Sequence, residues 1–203
     1  MIKNVIMDMG NVLLDYNPQV VMDKYLENPE DKKIISAELF NGNEWRQKDL
    51  GLITNMEMYQ KVKKRVPENL HKALLNCVNE WSICMIPVNG ARKFTDYVKE
   101  KGYDIYVLSN ASEKFYDYFP NFAPFEYFKG IMVSCDVHMV KPDVNIYKRF
   151  LEEFSLKADE CIFIDDREEN VAGAVEAGIN GVVFKENFNE IVQKILTSGE
   201  KIC

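Results

Sequence analysis

Short, mostly apolar runs recur along the chain, at Ile2–Asp8, Tyr103–Ser109, Gly130–Cys135, Cys161–Asp166 and Gly181–Phe184. Each is too short for a stable helix and is bounded by turn residues, so each predicts a strand. Amphipathic helical patterns lie between the later runs. Val88–Lys101 is stopped by Gly102, Asp143–Phe154 is opened by Pro142, and Asn170–Ala177 is stopped by Gly178. Strands alternating with helices of this length predict an α/β fold, a Rossmann-like doubly wound parallel sheet covered on both faces.

The interval 15–85 reads differently. Val20–Glu27, Asp31–Phe40, Asn55–Lys64 and Glu68–Trp81 each carry a helical pattern. Breaks fall at Asn28-Pro29, at Asn41-Gly42-Asn43, at Gly51 and at Pro67, and no strand is expected. The prediction is therefore a core of residues 1–14 and 86–203, with 15–85 inserted directly after the first strand as a helical cap over the edge of the sheet. The basic cluster Lys61–Arg65 reads as a solvated helix face.

Composition narrows the partners. The chain has 203 residues, 47% of them hydrophobic and 28% charged, which is ordinary for a globular protein. Its 25 basic and 32 acidic residues give a net charge of −7, which argues against nucleic acid or an anionic membrane as partner. A small anionic ligand remains compatible, because one local positive site outweighs the net charge. No apolar run approaches the ~20 residues of a membrane helix. Met1–Met7 lacks the pattern of a secretory leader, and a cytoplasmic location is the expectation. Cys77, Cys84, Cys135, Cys161 and Cys203 form no C-x-x-C pair and read as reduced thiols. His71 and His138 are far apart, so neither a zinc site nor a Ser-His-Asp triad is indicated, and His71 reads as a solvated surface residue.

Doubly wound sheets bind ligands beyond the carboxyl ends of their strands. The residues at those ends here are Asp8, then Ser109 and Asn110, then Lys141-Pro142 a few residues past the third strand, then Asp165 and Asp166. Three carboxylates, a hydroxyl and a lysine would thus share one edge. Clustered carboxylates cannot all ionise without a cation, and oxygen ligands suit Mg²⁺. The cation would draw in a phosphate, which the lysine and hydroxyl would help to neutralise. There is no G-x-x-x-x-G-K-[ST] loop to cradle a nucleotide. With no serine–histidine pair in sight, a carboxylate is the plausible nucleophile.

Asp8-Met9-Gly10-Asn11-Val12, Ser109, Lys141-Pro142 and Asp165-Asp166 resemble, in order and spacing, the four motifs of the haloacid dehalogenase-like hydrolases. The stretch from Asp165 to Ala174 is similar to the last of them, and the insertion sits where that family places a helical cap. The resemblance implies that Asp8 is a nucleophile forming an aspartyl-phosphate and a Mg²⁺ ligand. It implies that Gly10 offers a backbone carbonyl to the metal, and that Asp166 completes the set with Asp165 in it or beside it. Ser109 and the Asn110 backbone N–H would hold phosphoryl oxygens, and Lys141 would bridge Asp8 and the phosphoryl group. The implied partner is a small phosphorylated metabolite, acted on by a monomer or homodimer. Receiver domains also combine these residue types, but there the acidic pair comes first and the acceptor aspartate later, and no helical insertion intervenes.

One position departs from the family pattern. The second aspartate of the first motif, a general acid and base worth about 10²–10⁴-fold in rate, is replaced by Gly10. Asp-x-Gly-Asn-Val, with the segment Trp45–Thr54, resembles a sugar-phosphate phosphatase subgroup that includes α-glucose-1-phosphate phosphatases. A 2-haloacid dehalogenase is a second reading, although those enzymes usually carry tyrosine where Gly10 stands. A phosphate- or partner-binding module with little turnover is a third. Water, a cap residue or Asp15 could supply the missing proton. Trp45, Arg46 and Asp49 are the cap residues placed to reach a pocket, and Phe115, Tyr116, Tyr118 and Phe119 could wall it.

Overall fold

The computed structural model describes residues 1–197, so Cys203 lies outside the described residues. The five apolar runs are strands: β1 (Asn4–Met7), β4 (Asp104–Ser109), β5 (Gly130–Val133), β6 (Cys161–Asp165) and β7 (Asn180–Val183). They form one parallel sheet in the order β5-β4-β1-β6-β7. β1 is therefore central, and the chain leaves it toward opposite sides of the sheet. Its carboxyl end is the topological switch point, where a crevice opens.

Alternate residues of each strand face opposite layers. Ile6 lies between Tyr106 of β4 and Phe163 of β6. All three belong to one core, which also holds Tyr147 and Phe150 of helix Val144–Glu153 and Ala174 of helix Glu168–Glu176. Val5, between Ile105 and Ile162, faces the other layer with Met7 and Val107. Helices Ala91–Glu100 and Phe188–Thr197 cover that face, their Phe94 and Phe188 rings stacked with centroids 4.7 Å apart. The second of these helices was not read from the sequence.

The inserted segment is helical, with two differences from the sequence reading. Its two ends pair: β2 (Leu14–Tyr16) runs antiparallel to β3 (Met85–Pro87), a ribbon at the root of the insertion. Between them run the expected helices Gln19–Tyr25, Pro29–Ile35, Asn55–Val62 and His71–Glu80. The second continues as a π-helical turn, Ser36–Phe40. A further helix, Asn43–Asp49, lies in the interval that reads as breaks. Its buried positions are the charged residues Glu44 and Lys48. Arg65 binds Glu44 and Glu38, so the basic cluster is not wholly a solvated face. His71 is half-buried rather than solvated, its Nε2 3.0 Å from the Val66 carbonyl and 3.1 Å from that of Lys63. Cys77, Cys84, Cys135 and Cys161 are free thiols. No helix among the described residues is long and apolar enough to cross a membrane.

Candidate functional site

The carboxyl end of β1 delivers Asp8 to the crevice, where it is buried. Its Oδ1 accepts from the Met9 N–H at 2.7 Å and pairs with Lys141 Nζ, also at 2.7 Å. Lys141, 3% exposed, reaches Asp165 Oδ2 at 2.7 Å as well. The lysine therefore bridges two carboxylates. Its segment is fastened to the end of β4 by Asn110, whose Oδ1 accepts from the Lys141 N–H (2.8 Å) and whose Nδ2 donates to the Lys141 carbonyl (3.0 Å). Gly173 lets the helix after β6 close on this segment, since a Cβ there would lie 2.4 Å from the Pro142 carbonyl oxygen.

Asp165 is fully enclosed. Its Oδ1 accepts from the Arg167 N–H (2.9 Å) and Asn170 Nδ2 (3.0 Å), and its Oδ2 from Lys141 and the same Asn170 amide (3.0 Å). Asp166 is more open, with Oδ2 accepting from Asn11 Nδ2 at 2.9 Å. Asn11 has φ 55°, a left-handed conformation that asparagine tolerates, and its Oδ1 accepts from the Tyr16 N–H.

Among the described residues, no side chain donates to Asp8 Oδ2 or to Asp166 Oδ1. One ligand oxygen from each of Asp8, Asp165 and Asp166 falls within a cluster spanning 4.8 Å. An all-oxygen donor set with two open oxygens fits a hard divalent cation. The electrostatics agree. Burial pushes the Asp8 carboxyl up to about 7, Lys141 opposes that rise, and Asp165 adds to it. Burial, partly offset by the Asn11 hydrogen bond, likewise holds Asp166 above the usual range. Burial alone would lower the Lys141 ammonium, but the Asp165 and Asp8 charges more than compensate and keep it above its usual value. A second cation here would relieve the remaining carboxylate repulsion.

The cavity over these groups measures about 300 Å³. Its floor holds Asp8, Gly10, Asn110, Lys141 and Asp166, and its roof comes from the inserted segment and Tyr118. Trp45 and Trp81 meet edge to face (5.3 Å between centroids), Tyr118 packs on Trp81 (5.5 Å), Phe40 on Trp45 (5.0 Å), and Tyr16 lies 6.2 Å from each tryptophan. Asp49 also lines the cavity. Ser109 ends β4, directly before the cavity-lining Asn110, and among the described residues its buried Oγ has no hydrogen-bond partner. Arg46 and Asp15 are exposed and do not line the cavity. Of the four aromatics after Ser109, only Tyr118 reaches it. Phe115 and Phe119 stack in the core, and Tyr116 binds Asp136 at the surface. Sequence reasoning gave no role to Tyr16 or to the Asn11, Asn110 and Asn170 side chains. Asn11 and Asn170 lay within the matched motifs, Asn110 was expected to act through its backbone N–H, and no signal pointed to Tyr16.

A parallel sheet with its switch point at β1, an acid–lysine–acid cluster there, and a helical insertion over the cavity together define a Rossmann-like α/β fold with a ligand crevice at its switch point. The chain belongs to the haloacid dehalogenase-like hydrolase family, whose pattern matches residues 2–178. A sesquiterpene phosphatase from Aspergillus oryzae is 27% identical over 183 residues, 89% of this chain and 88% of that protein. A Bacteroides thetaiotaomicron enzyme of the family, solved as an aspartate-to-alanine mutant with magnesium and inorganic phosphate, superposes with a TM-score of 0.70 at 23% identity, over 92% of this chain and 96% of that one. The L-2-haloacid dehalogenase of Xanthobacter autotrophicus shares the fold at a TM-score of 0.65 and 17% identity, over 98% of this chain and 84% of that one.

Proposed function

We propose that this hydrolase is a Mg²⁺-dependent phosphatase that removes the phosphoryl group from a small phosphorylated metabolite, a sugar phosphate, by way of an aspartyl-phosphate on Asp8. The observation that carries this reading is Asp8 itself. It is buried, one oxygen is held by Lys141 and the Met9 N–H, and its side chain lines the cavity under the inserted segment.

In this reading an Asp8 oxygen attacks phosphorus, the bond to the leaving oxygen breaks, and that oxygen takes up a proton. Water then attacks phosphorus, releasing inorganic phosphate and restoring Asp8. Lys141 keeps Asp8 ionised and lies against the incoming phosphoryl oxygens. The unpartnered Ser109 hydroxyl and the Asn110 backbone N–H are the donors assigned to the remaining oxygens. Asp8, Asp166 and the Gly10 carbonyl would hold Mg²⁺, which supplies Lewis-acid neutralisation of phosphoryl charge. Asp165, whose oxygens are already taken by Lys141, Asn170 and Arg167, orients the lysine from beside that set. Segment 15–85 acts as the cap, excluding water from the cavity.

The aromatic roof favours a second substrate class. Sugar faces stack on aromatic rings, but so does an apolar chain, and a relative bears the name of a sesquiterpene phosphatase. A Mg²⁺-dependent phosphate-release panel of sugar phosphates, prenyl monophosphates and nucleotides, with 2-haloacids as controls, separates these classes. Release from sugar phosphates above the others supports the proposal, prenyl preference replaces the substrate, and dehalogenation or no turnover overturns the phosphatase reading.

A further inference from the structure

The family's acid–base aspartate is absent at Gly10, and packing is not the reason. A Cβ built there would meet only Asp8 Oδ2, at 4.0 Å. The proton that leaves with the alcohol must come from elsewhere. Among the described residues, three carboxylates line the cavity, Asp8, Asp166 and Asp49. The first two belong to the nucleophile and metal set.

We propose that Asp49, at the end of cap helix Asn43–Asp49, is the general acid and base of this enzyme, a role rebuilt on the opposite wall of the cavity. The inference rests on the phosphatase reading above. Asp49 donates its proton to the departing alkoxide oxygen as the phosphorus–oxygen bond breaks. The resulting carboxylate then takes a proton from the water that attacks the aspartyl-phosphate.

The local structure holds Asp49 in place while leaving its carboxylate free. Its side chain makes no hydrogen bond or ion pair among the described residues. Lys48, the adjacent cation, is itself buried but pairs with the exposed Glu113 carboxylate (2.6 Å to Oε2). The backbone directly after Lys48 is fixed to the core: Ser134 Oγ donates to the Asp49 carbonyl (2.5 Å), and His138 Nδ1 lies 2.8 Å from the Leu50 carbonyl. Gly51, with φ 68°, lets the chain turn here, and a Cβ there would strike the Cys135 carbonyl at 2.5 Å. These contacts set the carboxylate without consuming it.

The groups facing Asp49 also suit proton transfer. They are the Tyr16 and Tyr118 phenols and the Cys135 thiol, with Lys48 on its own helix. Burial pushes all three neutral partners upward, so they stay protonated. Burial also raises Asp49 to about 7, against the pull of Lys48. An acid near the working pH is the condition for efficient transfer in both directions. Asp15, the other acid considered from sequence, is exposed and off the cavity.

The test compares leaving groups in the full-length, Mg²⁺-loaded enzyme. An alkyl phosphate needs a proton on departure, and 4-nitrophenyl phosphate does not. Asp49→Asn is expected to lower kcat on glycerol phosphate by about 10²–10³-fold, while the single-turnover burst of 4-nitrophenolate stays within about threefold of wild type. Adding Gly10→Asp to Asp49→Asn restores at least about tenfold of the alkyl rate. The basic limb of the wild-type pH profile on the alkyl ester disappears in Asp49→Asn. Equal losses on both esters, a rise in KM with kcat unchanged (the signature of a substrate-hydroxyl contact), or no recovery in the double variant would overturn the assignment. A wild-type enzyme inactive on both esters fails the phosphatase reading itself and the assignment with it.

Discussion

Lys141→Met removes the charge at the centre of the site and keeps most of the side-chain volume. Lys141 is 3% exposed and lies 2.7 Å from a carboxylate oxygen of both Asp8 and Asp165. Asp165 would retain the Arg167 N–H and the Asn170 amide, but Asp8 would keep only the Met9 N–H. Removing one partner from a buried charge pair costs about 3–5 kcal/mol. For a chain of this length each kcal/mol moves the midpoint by about 2–4 °C, so Tm should fall by about 6–20 °C at pH 8 without metal. The pH dependence has a definite sign. Asp8 already titrates at about 7 in the fold, above its ordinary 3.8, and losing Lys141 pushes it higher. A carboxyl raised in the folded state favours folding below its unfolded value and loses that contribution as pH rises through the folded one. The deficit should therefore shrink at pH 5, where Asp8 is protonated. Millimolar Mg²⁺ should restore part of it at pH 8 by replacing the missing cation. Thermal melts of both proteins at pH 5 and pH 8, with and without Mg²⁺, provide the measurement. A Tm within about 2 °C of wild type at pH 8, or a deficit that grows toward pH 5, would refute the buried-bridge account.

Asp49→Asn should stabilise the protein while impairing it. Raising a carboxyl from 3.8 to about 7 corresponds to about 4 kcal/mol against the ionised fold at pH 8, a cost asparagine lacks, and the benefit should vanish near pH 4. Melts that show the same Tm for both proteins at pH 8 would contradict this. Gly173→Ala should cost about 1–3 kcal/mol by overpacking and lower kcat, because its Cβ can be accommodated only by moving the Pro142 carbonyl next to Lys141. Urea unfolding and phosphate release from the same preparation check it, and wild-type values in both would be the contrary result. Lys48→Met should raise KM more than it lowers kcat on any good substrate, since it loosens the cap from Glu113 without touching the floor of the cavity. Steady-state kinetics with kcat alone reduced would argue against that placement.

The sheet was legible because its strands are buried on both faces and stand out as apolar runs between glycine and proline signals. The five runs are the five parallel strands, the first four trimmed by one to three residues and the fifth shifted by one toward the N-terminus. The strand-end residues were legible for the same reason, since the end of an apolar run fixes where its next polar residue emerges. Helix Asn43–Asp49 was not, because its inward positions are Glu44 and Lys48, satisfied by Arg65 and Glu113 far along the chain. Apolar periodicity is silent when the buried face is charged. The β2–β3 ribbon escaped because each strand has three residues and its partner lies across the whole insertion. Asn110 and Asn170 read as loop and helix-start polar residues. Their work is to hold Lys141 and Asp165, contacts made across 31 and 5 residues of sequence. Asp49 was within reach of the sequence as a cap residue near a pocket, but that Lys48 pairs with Glu113 rather than with Asp49 is a property of the packed structure alone.

The central claim is that Asp8 carries the phosphoryl group during turnover. Acid-quenching the Mg²⁺-loaded wild-type enzyme during turnover of its best phosphate ester, followed by peptide mass spectrometry, reads this directly. The account predicts one added phosphoryl group on the peptide containing Asp8, none after the ester is exhausted, and neither adduct nor turnover in a folded Asp8→Asn variant. Phosphate release with an unmodified Asp8 peptide, or sustained turnover by Asp8→Asn, would contradict it.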